Sequence, residues 1–302
     1  MRGHDMRFLL VIIAVFLSGI PALAAEYPEK PVRVIVGGAA GGTLDVVMRI
    51  IAPAFEEKFG QKMVVENRPG ALGVITANAV INAEPDGYTL GTITPGALDA
   101  MKASAHDPRR LQFISGLATF PLLIVAKKEG PGSIRALIEK VPSEYGYSNT
   151  IGQLAGEIFL DAAGIVPRPQ PVPYNQKEPV MLLDVLGGRI AYAVVTASAA
   201  RGGIEGDRLA ILAVAASRRS SFLPAVPTLA EALASAGKTG LKKIREPALG
   251  LTGPRGMSSD VVGILRRGLQ GILKHPDVRE ALRRNWAGPT EWSERDFEMY
   301  AE

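Results

Sequence analysis

From residue 31 the chain alternates between two hydrophobic rhythms. Short β-branched runs end in glycine- or asparagine-rich turns, and apolar residues then recur every three to four positions. Residues 31–36 (Pro-Val-Arg-Val-Ile-Val) are the first such run and predict a strand. The turn Gly37-Gly38-Ala39-Ala40-Gly41-Gly42 follows, with Thr43 as the predicted N-cap of a helix over 45–59. Val46, Val47, Ile50, Ile51, Ala54 and Phe55 share one face of that helix, and Gly60 stops it. A strand over 63–66, a turn at Asn67-Arg68-Pro69-Gly70 and a helix over 73–83 come next. A turn at Pro85-Asp86-Gly87 and a strand over 88–94 complete the series. This strand–helix–strand–helix–strand order is the grammar of a parallel sheet with right-handed crossovers.

The same grammar continues. Strands are predicted at 122–126, 170–173, 190–196 and 209–215. Helices are predicted at 133–141, at 153–163 (stopped by Gly164) and at 179–186 (ended by Gly187-Gly188). The C-terminal part is helical, at 228–236, 259–273, 276–285 and 293–301. The fold class is α/β. There is no internal repeat and no low-complexity linker, so two lobes would exchange the chain through short strands rather than a flexible tether.

The N-terminus follows a different pattern. Arg2 and Arg7 flank an apolar run over 8–20, long enough for a signal peptide and too short to span a bilayer. Pro21 breaks the run, and Ala22-Leu23-Ala24 has the small-x-small spacing that a signal peptidase accepts. Residues 1–24 are therefore expected to be a cleaved leader, with the mature chain beginning at Ala25 or Glu26 in the periplasm. The competing reading is a retained membrane anchor.

The 34 Lys and Arg against 30 Asp and Glu leave a formal net charge of +4. The basic residues are scattered without aromatic interleaving, which argues against a nucleic-acid partner and suits a small anion. The absence of cysteine excludes disulfides, cysteine nucleophiles and thiolate metal sites, so an exported chain must be held by its own core. Of three histidines, His4 lies in the leader, while His106 and His275 are far apart in polar surroundings. No zinc-type His-Glu spacing and no Gly-x-Ser-x-Gly elbow occurs. The chain reads as a binding protein and not an enzyme, with no cofactor or metal called for. The enzyme alternative is an α/β hydrolase using the glycine-rich turn as an oxyanion site, and it needs a nucleophile–base pair.

Three segments carry candidate chemistry. The turn 37–43 lets backbone approach a ligand and places helix N–H groups where an anion is attracted, or else it serves tight strand–helix packing. It lacks the Gly-Lys-Ser/Thr of a phosphate loop and has the wrong spacing for a dinucleotide fingerprint. Ser148, Asn149 and Thr150 precede a helix, where they cap it, face a ligand, or do both. Tyr174, in Val172-Pro-Tyr-Asn175, reads either as a pocket wall or as a core aromatic.

Together these motifs resemble the tripartite tricarboxylate transporter receptor family, also called Bug proteins. The likeness rests on Glu26-Tyr-Pro-Glu-Lys-Pro-Val-Arg-Val-Ile-Val36, Ala40-Gly-Gly-Thr-Leu-Asp45, Val65-Glu-Asn-Arg-Pro-Gly70 and Glu84-Pro-Asp-Gly-Tyr-Thr-Leu90. It continues through Leu154-Ala-Gly-Glu-Ile-Phe159, Val172-Pro-Tyr174, Asp184-Val-Leu-Gly-Gly188, Leu212-Ala-Val214 and Leu223-Pro-Ala-Val-Pro-Thr-Leu-Ala-Glu231. The resemblance implies a type II periplasmic-binding-protein-like fold, with a ligand cleft between two α/β lobes joined by two crossovers. By that likeness, lobe 1 spans 25–124 plus 225–302 and lobe 2 spans 125–224. It implies capture of a dicarboxylate, tricarboxylate, amino acid or aromatic acid, held largely by backbone amides and ordered waters. The implied partners are the permease subunits of a tripartite transporter or, alternatively, a membrane sensor kinase. Gly38, Ala39, Gly41, Gly42, Thr43 and Asp45 map onto the family's first ligand loop. Ser148, Asn149 and Thr150 map onto its second, and Tyr174 with Asn175 onto a third. On this reading Gly41, Gly42 and Thr43 present N–H groups to one carboxylate. The chain departs from the family at Gly37-Gly38-Ala39, where Phe-Pro is usual. It also departs at Ala191, which stands where Asp is usual, and at Val195, where a polar residue is usual.

Overall fold

The computed structural model describes residues 27–302 apart from 217, 243, 245, 246 and 291. The expected leader and its cleavage site lie outside the described residues. In chain order the first part runs β1 (Val32–Val36), α1 (Thr43–Phe59), β2 (Met63–Asn67), α2 (Val74–Ile81), β3 (Thr89–Ile93), α3 (Pro95–Ala103) and β4 (Leu111–Thr119). The middle part runs β5 (Leu122–Lys127), α4 (Ile134–Lys140), β6 (Glu144–Tyr147), α5 (Thr150–Ala163) and β7 (Gln170–Pro173). It continues with α6 (Glu178–Leu186), β8 (Tyr192–Thr196), α7 (Ala197–Glu205), β9 (Leu209–Val214) and α8 (Leu229–Ser235). The last part is β10 (Ala248–Pro254), α9 (Ser259–Lys274), α10 (Pro276–Arg284) and α11 (Glu294–Ala301).

These strands form two five-stranded sheets, ordered β2-β1-β3-β10-β4 and β7-β6-β8-β5-β9. Each sheet is mixed rather than all-parallel. β1 pairs parallel with β2 and β3, whereas β10 is antiparallel to β3 and β4. Likewise β6 is parallel to β7 and β8, whereas β5 is antiparallel to β8 and β9. The strand–helix alternation predicts all three parallel strands of the first sheet, β1, β2 and β3, but only β7 and β8 of the second, where β6 has no predicted counterpart. The antiparallel ones are contributed by the chain as it changes lobe.

Both faces of each sheet are covered, so strands such as β1 and β8 are almost continuously apolar. On the first sheet, Val47, Met48, Ile51 and Phe55 of α1 pack with Leu265 and Leu269 of α9 on one face. Leu98 and Met101 of α3 pack with Phe113, Trp292 and Phe297 on the other. On the second sheet, Phe159 of α5 and Leu229 and Leu233 of α8 cover one face, and Met181 and Val185 of α6 the other.

The crossings differ from the expected 124/125 and 224/225. All of β5 from Leu122 hydrogen-bonds in the second sheet, so the chain leaves the first lobe at 120–121. Helix α8 and Ile244 belong to the second core, so the return falls between Ile244 and Ala248. The physical reason is that Leu229, Ala232 and Leu233 bury their apolar stripe against the second sheet.

Candidate ligand-binding cleft

In open α/β sheets ligands bind beyond the carboxyl ends of the parallel strands. The gap between the two lobes is lined by residues that follow those ends. Thr43 and Leu44 come after β1, Thr94 and Gly96 after β3, and Asn149 and Ile151 after β6. Gln176 and Glu178 come after β7, and Thr196 ends β8. The lobes are shut upon each other, and the remaining cavity is about 30 Å³, room for one water. Small-molecule pockets run to ~300–1,000 Å³, so entry of a ligand requires the lobes to part.

The first wall is the turn 37–42. Gly37 N–H donates to Thr92 Oγ1 at 3.0 Å and Asn67 Nδ2 donates to the Gly38 carbonyl at 2.9 Å, which ties the turn to β2 and β3. Gly41 has φ +77°, a left-handed conformation that glycine adopts at no steric cost. Its N–H donates to Asp45 Oδ2 at 2.9 Å, and Gly42 N–H donates to the Ala39 carbonyl at 3.0 Å. Asp45 also accepts from Arg49 Nε at 2.9 Å. Burial alone would raise the Asp45 carboxyl; the bonds from Arg49, the Gly41 N–H and Asn67 outweigh it and hold the group below the usual carboxylate range. Asp45 therefore braces the turn from within.

The second wall comes from the other lobe. Glu178, at the first position of α6, is 6% exposed. Its Oε2 accepts from the Thr43 N–H at 3.1 Å, across the cleft. Its Oε1 accepts from the Thr196 hydroxyl at 2.7 Å and, more weakly, from the Ser148 hydroxyl at 3.4 Å and the Thr196 N–H at 3.5 Å. Thr43 and Thr196 also meet hydroxyl to hydroxyl. Four helices begin around this carboxylate: α1 at Thr43, α5 after Asn149, α6 at Glu178 itself and α7 after Thr196. Helix N-termini carry unpaired N–H groups and a positive partial charge, which together favour an anion.

The sequence-derived candidates separate on this geometry. Gly38, Ala39, Gly42, Thr43, Ser148, Asn149 and Thr150 gather at or beside the cleft. Thr43 is not the N-cap; Gly42 is, and no side chain caps the helix, which frees the Thr43 hydroxyl for Thr196. Asn149 caps α5 by accepting from Gly152 N–H at 2.8 Å, while its Nδ2 donates to Ser148 Oγ at 3.3 Å. Thr150 donates to the Gly96 carbonyl at 3.2 Å, and Ala39 N–H donates to the Gln176 carbonyl at 3.1 Å, two further bonds between the lobes. The expected trio of free N–H donors at Gly41, Gly42 and Thr43 is not free. Each already has an acceptor within the chain.

Tyr174 and Asn175 do not line the cavity. The Tyr174 hydroxyl donates to Asp184 Oδ2 at 2.5 Å, and burial, then that bond, pushes its pKa up to about 12. Asn175 is exposed. Both Asn175 and Gln176 have positive φ, 48° and 68°, and this turn delivers Gln176 and Glu178 to the cleft instead. Sequence reasoning missed Glu178 and Thr196. The available signals were an acidic residue at a helix start beside Pro179, and a threonine ending a predicted strand.

A larger groove of about 930 Å³ opens on the first lobe, with Arg266, Arg283, Glu280 and Glu294 on its walls. Those charges pair with one another, Arg266 with Glu294 and Arg283 with Glu280. The interlobe cleft, with its converging helix starts and buried carboxylate, is the better candidate. Among the described residues no group of three or more His, Cys, Asp or Glu is placed to hold a metal ion.

The comparisons with known proteins agree with this architecture. The model of the tripartite tricarboxylate transporter family receptor matches residues 47–302. Protein BugT of Bordetella pertussis is 31% identical over 304 residues, covering 94% of this chain and 90% of that protein. A solved periplasmic transporter superposes with a TM-score of 0.80 at 30% identity, covering 91% of this chain and 93% of its own. R. palustris Rpa4515, solved with adipate, superposes with a TM-score of 0.79 at 27% identity, covering 91% and 94%. With its two-lobed periplasmic-binding-protein fold and these matches along most of its length, the chain belongs to the tripartite tricarboxylate transporter receptor family.

Proposed function

We propose that this chain is an exported receptor that closes its two lobes on a small organic carboxylate and delivers it to the permease subunits of a tripartite transporter. One observation carries the reading: the starts of α1, α5, α6 and α7 converge on a position where a buried carboxylate is held by N–H and O–H donors. Such a position binds carboxylate through fixed dipoles and needs no basic side chain. The adipate in Rpa4515 supports the same ligand class. The turn 38–43 would hold one carboxylate from the first lobe, with Ser148, Asn149, Thr150 and Thr196 facing it from the second. Export is supported by the basic flank, apolar run and Ala-x-Ala end of residues 1–24. A role as receptor is supported by the family to which the chain belongs.

The test is a thermal-shift screen of the mature chain against dicarboxylates, tricarboxylates, amino acids and aromatic acids, followed by calorimetry. One carboxylate class is expected to raise the melting temperature and bind with measurable heat. A screen in which no carboxylate does either overturns the ligand class. N-terminal sequencing of protein recovered from the periplasm of a Gram-negative host is expected to show cleavage next to Ala24.

A further inference from the structure

The anion at the heart of the cleft is the chain's own. We propose that Glu178 is a built-in competitor for the ligand's carboxylate. Its side chain fills the anion position at the start of α1, latches the lobes together, and must be displaced before an anionic ligand can take the same donors. The inference rests on the carboxylate reading given above and deepens it, by naming the residue that sets affinity and selectivity at that site.

Four observations carry it. Glu178 and Thr43 belong to different lobes and are 135 residues apart, yet the Glu178 carboxylate accepts the Thr43 N–H at 3.1 Å in a buried setting. Its other oxygen takes the Thr196 hydroxyl at 2.7 Å and faces the Ser148 hydroxyl at 3.4 Å, so donors from both lobes are spent on one side chain. Among the described residues no lysine or arginine forms an ion pair with it, so neutral donors and helix starts do the holding. The space around it is fitted to this arrangement. A Cβ on Gly42 would lie 3.5 Å from Glu178 Oε2 and 3.0 Å from the Ala39 carbonyl oxygen, and the cleft cavity is only about 30 Å³, too small for a second carboxylate beside the first.

Carboxylates compete for the same donors by charge and geometry, so an incoming ligand gains only the difference between its own bonds and those of Glu178. The closed state is thereby populated without a ligand, and apparent affinity falls by the fraction of molecules open and able to bind. Ligands with a single carboxylate, or with a neutral or cationic group at this position, are penalised less than those presenting a second carboxylate to Glu178.

Chemical rescue tests the proposal. Small-angle scattering is measured for the mature parent and for Glu178→Ala, each with sodium acetate or sodium chloride at equal ionic strength. Acetate is the probe because it supplies the carboxylate that the substitution removes. Without acetate, Glu178→Ala is expected to have a larger radius of gyration than the parent. Acetate is expected to return it to the parent value and to raise its melting temperature by about 2–4 °C at several times the dissociation constant. Chloride leaves both unchanged, and the parent responds to neither salt. Glu178→Gln, which keeps the side-chain volume and one acceptor oxygen, is the second variant. It is expected to stay folded, to open less than Glu178→Ala, and to bind adipate at least tenfold more tightly than the parent. The proposal is overturned if Glu178→Ala stays as compact as the parent, or if it opens and acetate acts no differently from chloride. If Glu178→Ala does not fold, parent-like adipate affinity in Glu178→Gln overturns it. Acetate rescue with no carboxylate binding to the parent or to Glu178→Gln in the screen would sink the ligand class and leave the latch standing.

Discussion

The two sheets have the same strand order, so each turn in one lobe has a counterpart in the other. β1 corresponds to β6, and α1 to α5. Between β1 and α1 the chain spends residues 37–42, four of them glycine, and reaches across the cleft with backbone N–H groups, those of Ala39 and Thr43. Between β6 and α5 it spends only Ser148 and Asn149 and offers side chains. The long turn needs bracing, which Asp45, Asn67 and Thr92 supply. The short one is braced by its own cap, Asn149 to Gly152 N–H. Backbone donors survive any side-chain truncation and can be removed only by crowding them; side-chain donors can be deleted one at a time. The two lobes therefore meet the same carboxylate with donors of opposite vulnerability to mutation.

The largest effect on this contrast is expected from crowding the first turn. Gly42 has ordinary extended φ and ψ, −77° and 168°, so a side chain there costs no backbone strain. A valine at 42 would press on the Ala39 carbonyl and on the position of the Glu178 carboxylate. Two charge-assisted bonds at ~1.5–3 kcal/mol each are at stake, so Gly42→Val is expected to weaken carboxylate binding by roughly a hundredfold or more in calorimetry. Gly41→Val sharpens the comparison. With φ +77° and only Pro179 Cγ near, at 4.0 Å, it strains the backbone rather than the cleft. It is expected to lower stability by ~1–3 kcal/mol while disturbing affinity less than Gly42→Val. The reverse ranking would place the ligand elsewhere.

A smaller effect is expected in the second turn. Asn149→Ala removes the α5 cap, at a cost of ~0.5–2 kcal/mol of stability in denaturant titration. It also frees the Ser148 hydroxyl from one neighbour, so affinity is expected to change by less than in Gly42→Val. A loss of binding as large as that of Gly42→Val would show Asn149 to be a direct ligand and not a cap.

The smallest effect concerns the brace. Asp45 titrates lower in the folded chain than in the unfolded one, where a carboxyl of this type sits near ~3.9. Its stabilisation is therefore complete above that value and is lost as pH falls through the lower, folded one. Arg49 is half exposed, so its share is modest. Arg49→Ala is expected to bring Asp45 back up and to move the acid limb of thermal stability to slightly higher pH. An unchanged acid limb between pH 2 and 5 would show that the Gly41 and Asn67 bonds suffice.

The first turn was legible because its signal is local. A β-branched run, glycines and an amphipathic helix lie within 30 residues. Five elements left weaker traces. β10 reads Ala-Leu-Gly-Leu-Thr-Gly-Pro, a composition depleted in strands, yet it sits fully buried inside the first sheet, between β3 and β4. Its glycines are there because Phe113, Trp292 and Met257 pack where a Cβ would stand. The helices α3 and α7 begin Pro-Gly and contain Gly-Gly, respectively, and β4 and β6 lack β-branched runs, so local propensity was silent about all four.

Composition, periodicity and ordered motifs along one chain determined the α/β class, the three parallel strands of the first lobe, two of the three in the second, and the membership of a receptor family. All of these follow from interactions between neighbours in sequence. Only the tertiary structure decided that α8 packs on the second lobe, that Asp45 turns inward to hold Gly41, and that Tyr174 spends its hydroxyl on Asp184. It alone brought Glu178 to Thr43 across 135 residues and Thr196 to Thr43 across 153. The physical reason is that an anion position made of helix starts has no sequence of its own. Its donors are backbone N–H groups, which every residue but proline carries, and ordinary hydroxyls, and only the packing of two sheets aims them at one point.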